Sequence, residues 1–208
     1  MATTPRRHEQ AMRQSIAAEA ARLMSDGALT DFHHAKRKAA ARLGAGDTRN
    51  LPRNEEIEAA LREHQRLFEA DHQPRQLTHL RRMALEVMEA FADFRPRLVG
   101  PVLTGTAGSH TRVTLHLFSD TPEAVAFRLM DHRHPFDEGE VALRIGEAEQ
   151  RLPSFRFPWG EDTEVEVVVF PERGIRQAPA SPVDGHPMER AGREAVAGLL
   201  AGEGEPPA

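Results

Sequence analysis

At Arg95-Pro96 the apolar residues change their spacing, and this break constrains the fold of the chain more than any other feature. Before it they recur at helical intervals almost without interruption; after it they alternate or cluster as strand residues do. The pattern predicts an α+β protein, an N-terminal helical bundle followed by a mixed-sheet α/β domain. Charge divides at the same place. Residues 1–95 hold 16 Lys and Arg against 14 Asp and Glu, net +2, and the remainder holds 11 against 18, net −7. The chain has 208 residues, enough for one domain or two small ones. The expected organisation is a helical region over 1–73, an α/β domain over 74–201, and a disordered tail over 202–208, where Gly, Glu and Pro dominate.

Four helices are expected in the first half. Met12, Ile16, Ala20 and Leu23 form one stripe, which Asp26-Gly27 ends in a left-handed stop. Thr30 is placed to cap a second helix with Phe32, Ala35, Ala39 and Leu43 on its inner edge and Gly44 at its end. Asn54 precedes a third helix, whose Glu55 and Glu56 complement the dipole and whose Ile57, Leu61, His64 and Phe68 share one face. The fourth starts near Pro74, turns Leu77, Leu80, Ala84, Val87, Met88 and Phe91 inward, and stops before Pro96, which disfavours a helical residue ahead of it.

Composition excludes several function classes. With no cysteine, disulfides and Cys-ligated metal centres are ruled out. No run approaches the roughly 18 apolar residues of a membrane span, and the first ten residues carry charge where a secretory leader is apolar; the expectation is a cytoplasmic protein without a membrane partner. The second helix reads FHHAKRKAAAR, and its Lys36, Arg37 and Lys38 are the candidate nucleic-acid contacts, or contacts to a protein partner. No aromatic residue interleaves them, so base stacking is not implied. The same residues also read as a solvated face that keeps a helical bundle soluble.

The second half opens on RLVGPVLTGTAGSHTRVTLHLFSD. An apolar strand is expected from Leu98 to Leu103, then the turn Gly105-Thr106-Ala107-Gly108-Ser109, then a strand from Val113 to Phe118. Glycines at such a turn allow close approach of a ligand, and its N–H groups can cradle phosphate oxygens. In the second strand Arg112, Thr114 and His116 share a face opposite Val113, Leu115 and Leu117. Thr121-Pro122-Glu123 starts a helix that ends near Asp131. Strands follow over Val141–Ile145, Ser154–Phe157 and Glu164–Phe170; in the last, Glu166 points away from the face formed by Val165, Val167 and Val169. A proline-rich loop and a helix from Met188 to Leu200 complete the chain. Among 11 histidines, His110, His116, His132 and His134 are the ones a metal would need to converge, against the plainer reading of solvated side chains.

Helix, apolar strand, Gly-Ser/Thr turn, strand, and a later strand with a lone acid on the site face together resemble the nucleotidyltransferase fold of the polymerase-beta-like superfamily, over roughly Leu77 to Pro171. The resemblance implies that a Gly-Ser pair holds nucleotide phosphates and that three carboxylates hold two Mg²⁺ ions, two of them two residues apart on one strand. Carried over, Gly105-Thr106 or Gly108-Ser109 match the pair and Glu166 matches the third acid. The positions of the paired acids read Arg112 and Thr114, or Thr114 and His116, and Asp120 beyond the strand is the substitute ligand. The resemblance therefore implies a degenerate member, with Glu166 and Asp120 as candidate catalytic residues. Gly105, Thr106, Gly108, Ser109, Arg112, Thr114 and His116 are the candidate ligand-binding residues. Mg²⁺ is implied only for an active transferase, and no metal site follows from the residues themselves.

Two readings follow. In one, the α/β domain binds a nucleotide or phosphorylated small molecule at the turn, with Arg112 and His116 supplying positive charge in place of metal. In the other, the protein is a non-enzymatic regulatory or interaction protein with a basic helical half.

Overall fold

The structure is a computed structural model that describes residues 5–27, 29, 31–46 and 48–203. It is α+β, with helices first and a five-stranded mixed sheet after them. The chain divides into two compact units. One comprises Met1–Pro74 with Thr106–His110 and Pro182–Asp184; the other comprises Arg75–Gly105, Thr111–Ser181 and Gly185–Ala208.

The first unit is built on α1 (Pro5–Ser25), α2 (Phe32–Arg42) and α3 (Asn54–Phe68). Its core contains Ile16, Ala20, Leu23, Ala35, Ala39 and Ile57; the alanines on α1 and α2 let the helices approach closely while the larger side chains fill the gap. Gly27 adopts φ +70° and ends α1 as its sequence position requires. At α2 the cap is Asp31, whose carboxylate accepts from the His34 N–H at 2.7 Å; Thr30 lies outside the described residues. α3 starts with the Arg53 N–H donating to Glu56 at 2.7 Å. Its inner face differs from the expectation at one end. Gln65 is buried, whereas Phe68 is 73 % exposed, because the buried stripe runs Ile57, Leu61, Gln65 and leaves Phe68 beyond it.

The second unit begins with the body of α4 (Gln73–Ala90), which buries Leu77, Leu80, Ala84, Val87 and Met88. The expected strand from Leu98 to Leu103 is a shorter strand and a helical turn. β1 covers Arg97–Val99, Gly100 turns the chain at φ +71°, and α5 occupies Pro101–Thr104. Pro101 explains the change: it has no N–H to offer a ladder, and its fixed φ suits the first position of a helix. The buried Arg81 of α4 donates to the carbonyls of Val102 and Leu103 at 3.0 and 2.9 Å, holding this turn in place. After it come β2 (Val113–Phe118), α6 (Glu123–Asp131), β3 (Asp137–Ile145), β4 (Ala148–Trp159) and β5 (Thr163–Phe170).

The sheet order is β1-β2-β5-β4-β3, with β2 and β5 parallel and the other pairs antiparallel. β3 and β4 are longer than expected because Gly146, at φ +64°, joins them in a two-residue turn that keeps the ladder unbroken to its end. One face carries Val113, Leu115, Leu117, Val165, Val167 and Val169, and Phe91, just past the end of α4, lies 5.8 Å from Phe157 of β4. The other face has a smaller apolar cluster at one end, Phe118, Leu152, Val168 and Phe170, and polar residues at the other. The last helix, α7, runs Arg193–Glu203 and starts later than expected, since Ala191 exchanges two backbone hydrogen bonds with Leu98 and extends the sheet edge instead. Gly202 and Glu203, expected in the tail, belong to α7; residues 204–208 lie outside the described part. Among the described residues no helix is long and apolar enough to cross a membrane.

Candidate functional site

The parallel register of β2 and β5 sets Thr114 beside Glu166 and His116 beside Val168, so the residues singled out on the two strands share one face of the sheet. The antiparallel partner β4 adds Arg156 opposite Glu166 and Ser154 opposite Val168. Glu166, 8 % exposed, is clasped by two guanidinium groups. Arg156 Nε donates to its Oε1 at 2.7 Å, and Arg112 Nη1 lies 3.6 Å from its Oε2. Arg112 also lies 3.3 Å from Glu164. The hydrogen bond to Glu166 raises the Arg156 pKa above its ordinary value, reinforced by the charges of Glu166, Glu164 and Asp137. The charged groups of this face compensate one another.

His116 supplies no positive charge, which corrects that expectation. It is 2 % exposed, and burial, with the adjacent Arg190 charge, pushes its pKa down to about 3. The ring is neutral at physiological pH. Its Nδ1 accepts from Arg190 Nε at 3.0 Å, and that guanidinium also donates to the Gly174 carbonyl at 2.9 Å and lies over the Phe170 ring at 4.6 Å. Arg190 thereby pins the proline-rich segment to the sheet. Burial and the charge of Arg97 lower its own pKa to about 10, so it stays cationic. Asp120, past the end of β2, accepts from the Glu172 N–H at 3.0 Å and caps the 3-10 turn over Glu172–Arg176.

The glycine-rich turn is used by the protein itself. Gly105 caps α5 at φ +84°. Thr106 and Gly108 are buried, and a Cβ on Gly108 would meet the Ser25 carbonyl oxygen at 2.9 Å. The Gln65 side chain donates to the Thr106 carbonyl at 3.1 Å, and that of Gln73 to the Ala107 carbonyl at 3.4 Å. Ser109 and His110 are exposed. Gly105 falls in the α/β unit, while Thr106, Gly108 and Ser109 fall in the helical unit.

The donor set does not fit the Mg²⁺ pair that the resemblance implies. Thr114 offers a neutral hydroxyl and His116 a neutral ring whose Nδ1 is occupied, and both Glu166 oxygens face guanidinium groups. Hard divalent cations need several anionic oxygens. Among the described residues no three His, Asp or Glu side chains are grouped to hold a metal ion. His134 stacks on Trp159 at 4.8 Å instead. On α2, the half-buried Lys36 amine donates to the Pro52 carbonyl at 2.9 Å, and burial lowers its pKa; Arg37 and Lys38 are exposed.

Sequence reasoning missed Arg156 and Arg190. Both needed the strand register and the path of the proline-rich segment, which no local pattern encodes; the alternation Phe155-Arg156-Phe157 was the only trace of Arg156. No protein-family model matches this chain, and neither curated proteins nor solved structures contain a match.

Proposed function

We propose that the protein is a non-enzymatic interaction protein whose α/β unit keeps a nucleotidyltransferase-like order of elements as a scaffold. The observation that carries this reading is the clasp on Glu166. A carboxylate held at 2.7 Å by one guanidinium and flanked at 3.6 Å by another already has its charge compensated within the face, which weakens its pull on a metal ion. Two further features support it. The β2 positions that would carry the paired acids hold Thr114 and the neutral His116, and Gly108 of the glycine-rich turn packs against the Ser25 carbonyl, with no room for a Cβ.

The test is a thermal-shift series of the whole protein with nucleoside triphosphates, with and without Mg²⁺ or Mn²⁺. A ligand that binds the folded state alone raises its melting temperature. The expected result is no metal-dependent rise. A rise that requires the metal would overturn the reading. A rise without metal, lost in Arg112→Glu, would instead assign this face to a nucleotide or phosphorylated ligand.

A further inference from the structure

The strand order leaves β3 on the outside of the sheet. Its register with β4 is unbroken from Asp137↔Arg156 to Ile145↔Ala148. Next to a two-residue turn the closing pair is hydrogen-bonded, so Ile145 and every second residue before it turn their backbone groups toward β4. Glu138, Glu140, Ala142 and Arg144 turn theirs outward. The Arg144 carbonyl follows this pattern, accepting from the Ala180 N–H at 2.8 Å. From Glu138 to Ala142 the outward groups meet no backbone partner among the described residues.

A cleft of about 480 Å³ opens at the start of this strand. Phe136, Phe157 and Pro158 give it apolar walls, and Asp137, Glu161, Asp162 and Glu164 line it with four carboxylates. Its one guanidinium, Arg156, is spent on Glu166; Arg112 lies 3.3 Å from Glu164 and His79 3.1 Å from Asp162, which leaves Asp137 and Glu161 as the acids open to a partner. The open edge continues the same charge through the exposed Glu138 and Glu140.

We propose that an extended peptide bearing arginine or lysine adds to β3 as a sixth strand and places one basic side chain in this cleft. The proposal rests on the interaction-protein reading above. The backbone of β3 supplies the register and the carboxylates select the sign of the partner's charge, as in other strand-addition interfaces. Phe136 and Pro158 suit the aliphatic stem of a basic side chain, whose head then reaches the acids. A second copy of this chain is disfavoured as the occupant, because pairing β3 with β3 would oppose acid to acid.

Fluorescence anisotropy on the whole protein tests it, with labelled peptides of about nine residues alternating Arg and Val. Three comparisons accompany it: the Glu/Val counterpart, the Arg/Val peptide N-methylated at every second amide, and two protein variants. Ala142→Pro removes an outward N–H from an edge strand, where proline is tolerated; Asp137→Asn with Glu161→Gln removes charge from the cleft. The Arg/Val peptide is expected to bind and the Glu/Val peptide not to. N-methylation, the proline and the paired neutral substitutions should each weaken binding by about tenfold or more. Absence of Arg/Val binding overturns the proposal, and so does binding indifferent to both N-methylation and Ala142→Pro, which would reduce it to charge attraction. N-methylation keeps the test sound should the proline variant misfold. The nucleotide and metal series is a separate readout, so failure here is distinguishable from failure of the interaction-protein reading.

Discussion

Glu166 shows how a single carboxylate is assigned a role by its neighbours. A catalytic acid is held in a state that the fold would relax if it could, so neutralising it tends to leave stability unchanged or to raise it. A carboxylate clasped by arginines does the reverse. Glu166→Gln keeps the shape but leaves the charges of Arg156 and Arg112 without their shared partner. Hydrogen bonds to charged groups contribute about 1.5–3 kcal/mol, and the half-exposed Arg156 places this one at the low end. We expect Glu166→Gln to lower stability by about 1–2 kcal/mol in urea denaturation, with no change of slope; a gain in stability would restore Glu166 as a functional acid. The acid itself was legible in the sequence, sharing the site face of β5 with Glu164 and set between valines. Its clasp was not, because Arg156 precedes it by ten residues across a hairpin whose register only the folded sheet determines.

Between Gly100 and Ser109 the element-scale reading changes most. Glycines in sequence mark places where the backbone needs room, but not what fills that room. A ligand phosphate and a neighbouring carbonyl impose the same requirement, so GTAGS reads as a cradle or as a packing joint with equal ease. In the structure the joint is visible: Gly108 faces the Ser25 carbonyl and Gln65 binds the Thr106 carbonyl. Gly108→Ala should therefore destabilise the helical unit without any ligand present. A Cβ 2.9 Å from a backbone oxygen forces a backbone shift, and overpacking of this kind costs about 1–3 kcal/mol. The loss should appear in the helical circular-dichroism melt; an unchanged melt would show that the turn has room and return it to the ligand-binding candidates. Elsewhere, long periodic elements were legible and their ends less so. α1 and α4 follow their apolar stripes, and α2 and α3 do so except at their ends, where Leu43 and Phe68 are exposed, whereas β3 and β4 outrun theirs, since an outer ribbon buries little and its exposed half carries no hydrophobic signal.

On the scale of the whole molecule, the two units respond to acid by different chemistry. In the helical unit, hydrogen bonds from Arg22 and Arg42 hold the Glu19 carboxyl down to about 2, and the Arg13 hydrogen bond lowers that of Glu56. Carboxylates depressed in the fold stabilise it above their ordinary value near 4.5, and the contribution fades as pH falls through it. His116 acts in a higher window. Its folded value of about 3 lies below the ordinary 6.5, so the unfolded chain takes up a proton that the fold refuses. That stability is complete above about 6.5 and declines toward 3, by up to about 1.4 kcal/mol for each pH unit. The single tryptophan, Trp159, lies in the α/β unit and reports its unfolding by fluorescence. Between pH 7 and 5 the melting point read from Trp159 should fall, while neither Glu19 nor Glu56 yet contributes to the change. His116→Gln removes the titrating group and keeps an acceptor within reach of Arg190, so its melting point should change less over the same interval. An equal fall in that variant would place the acid sensitivity elsewhere and leave the buried His116–Arg190 pair without a part in it.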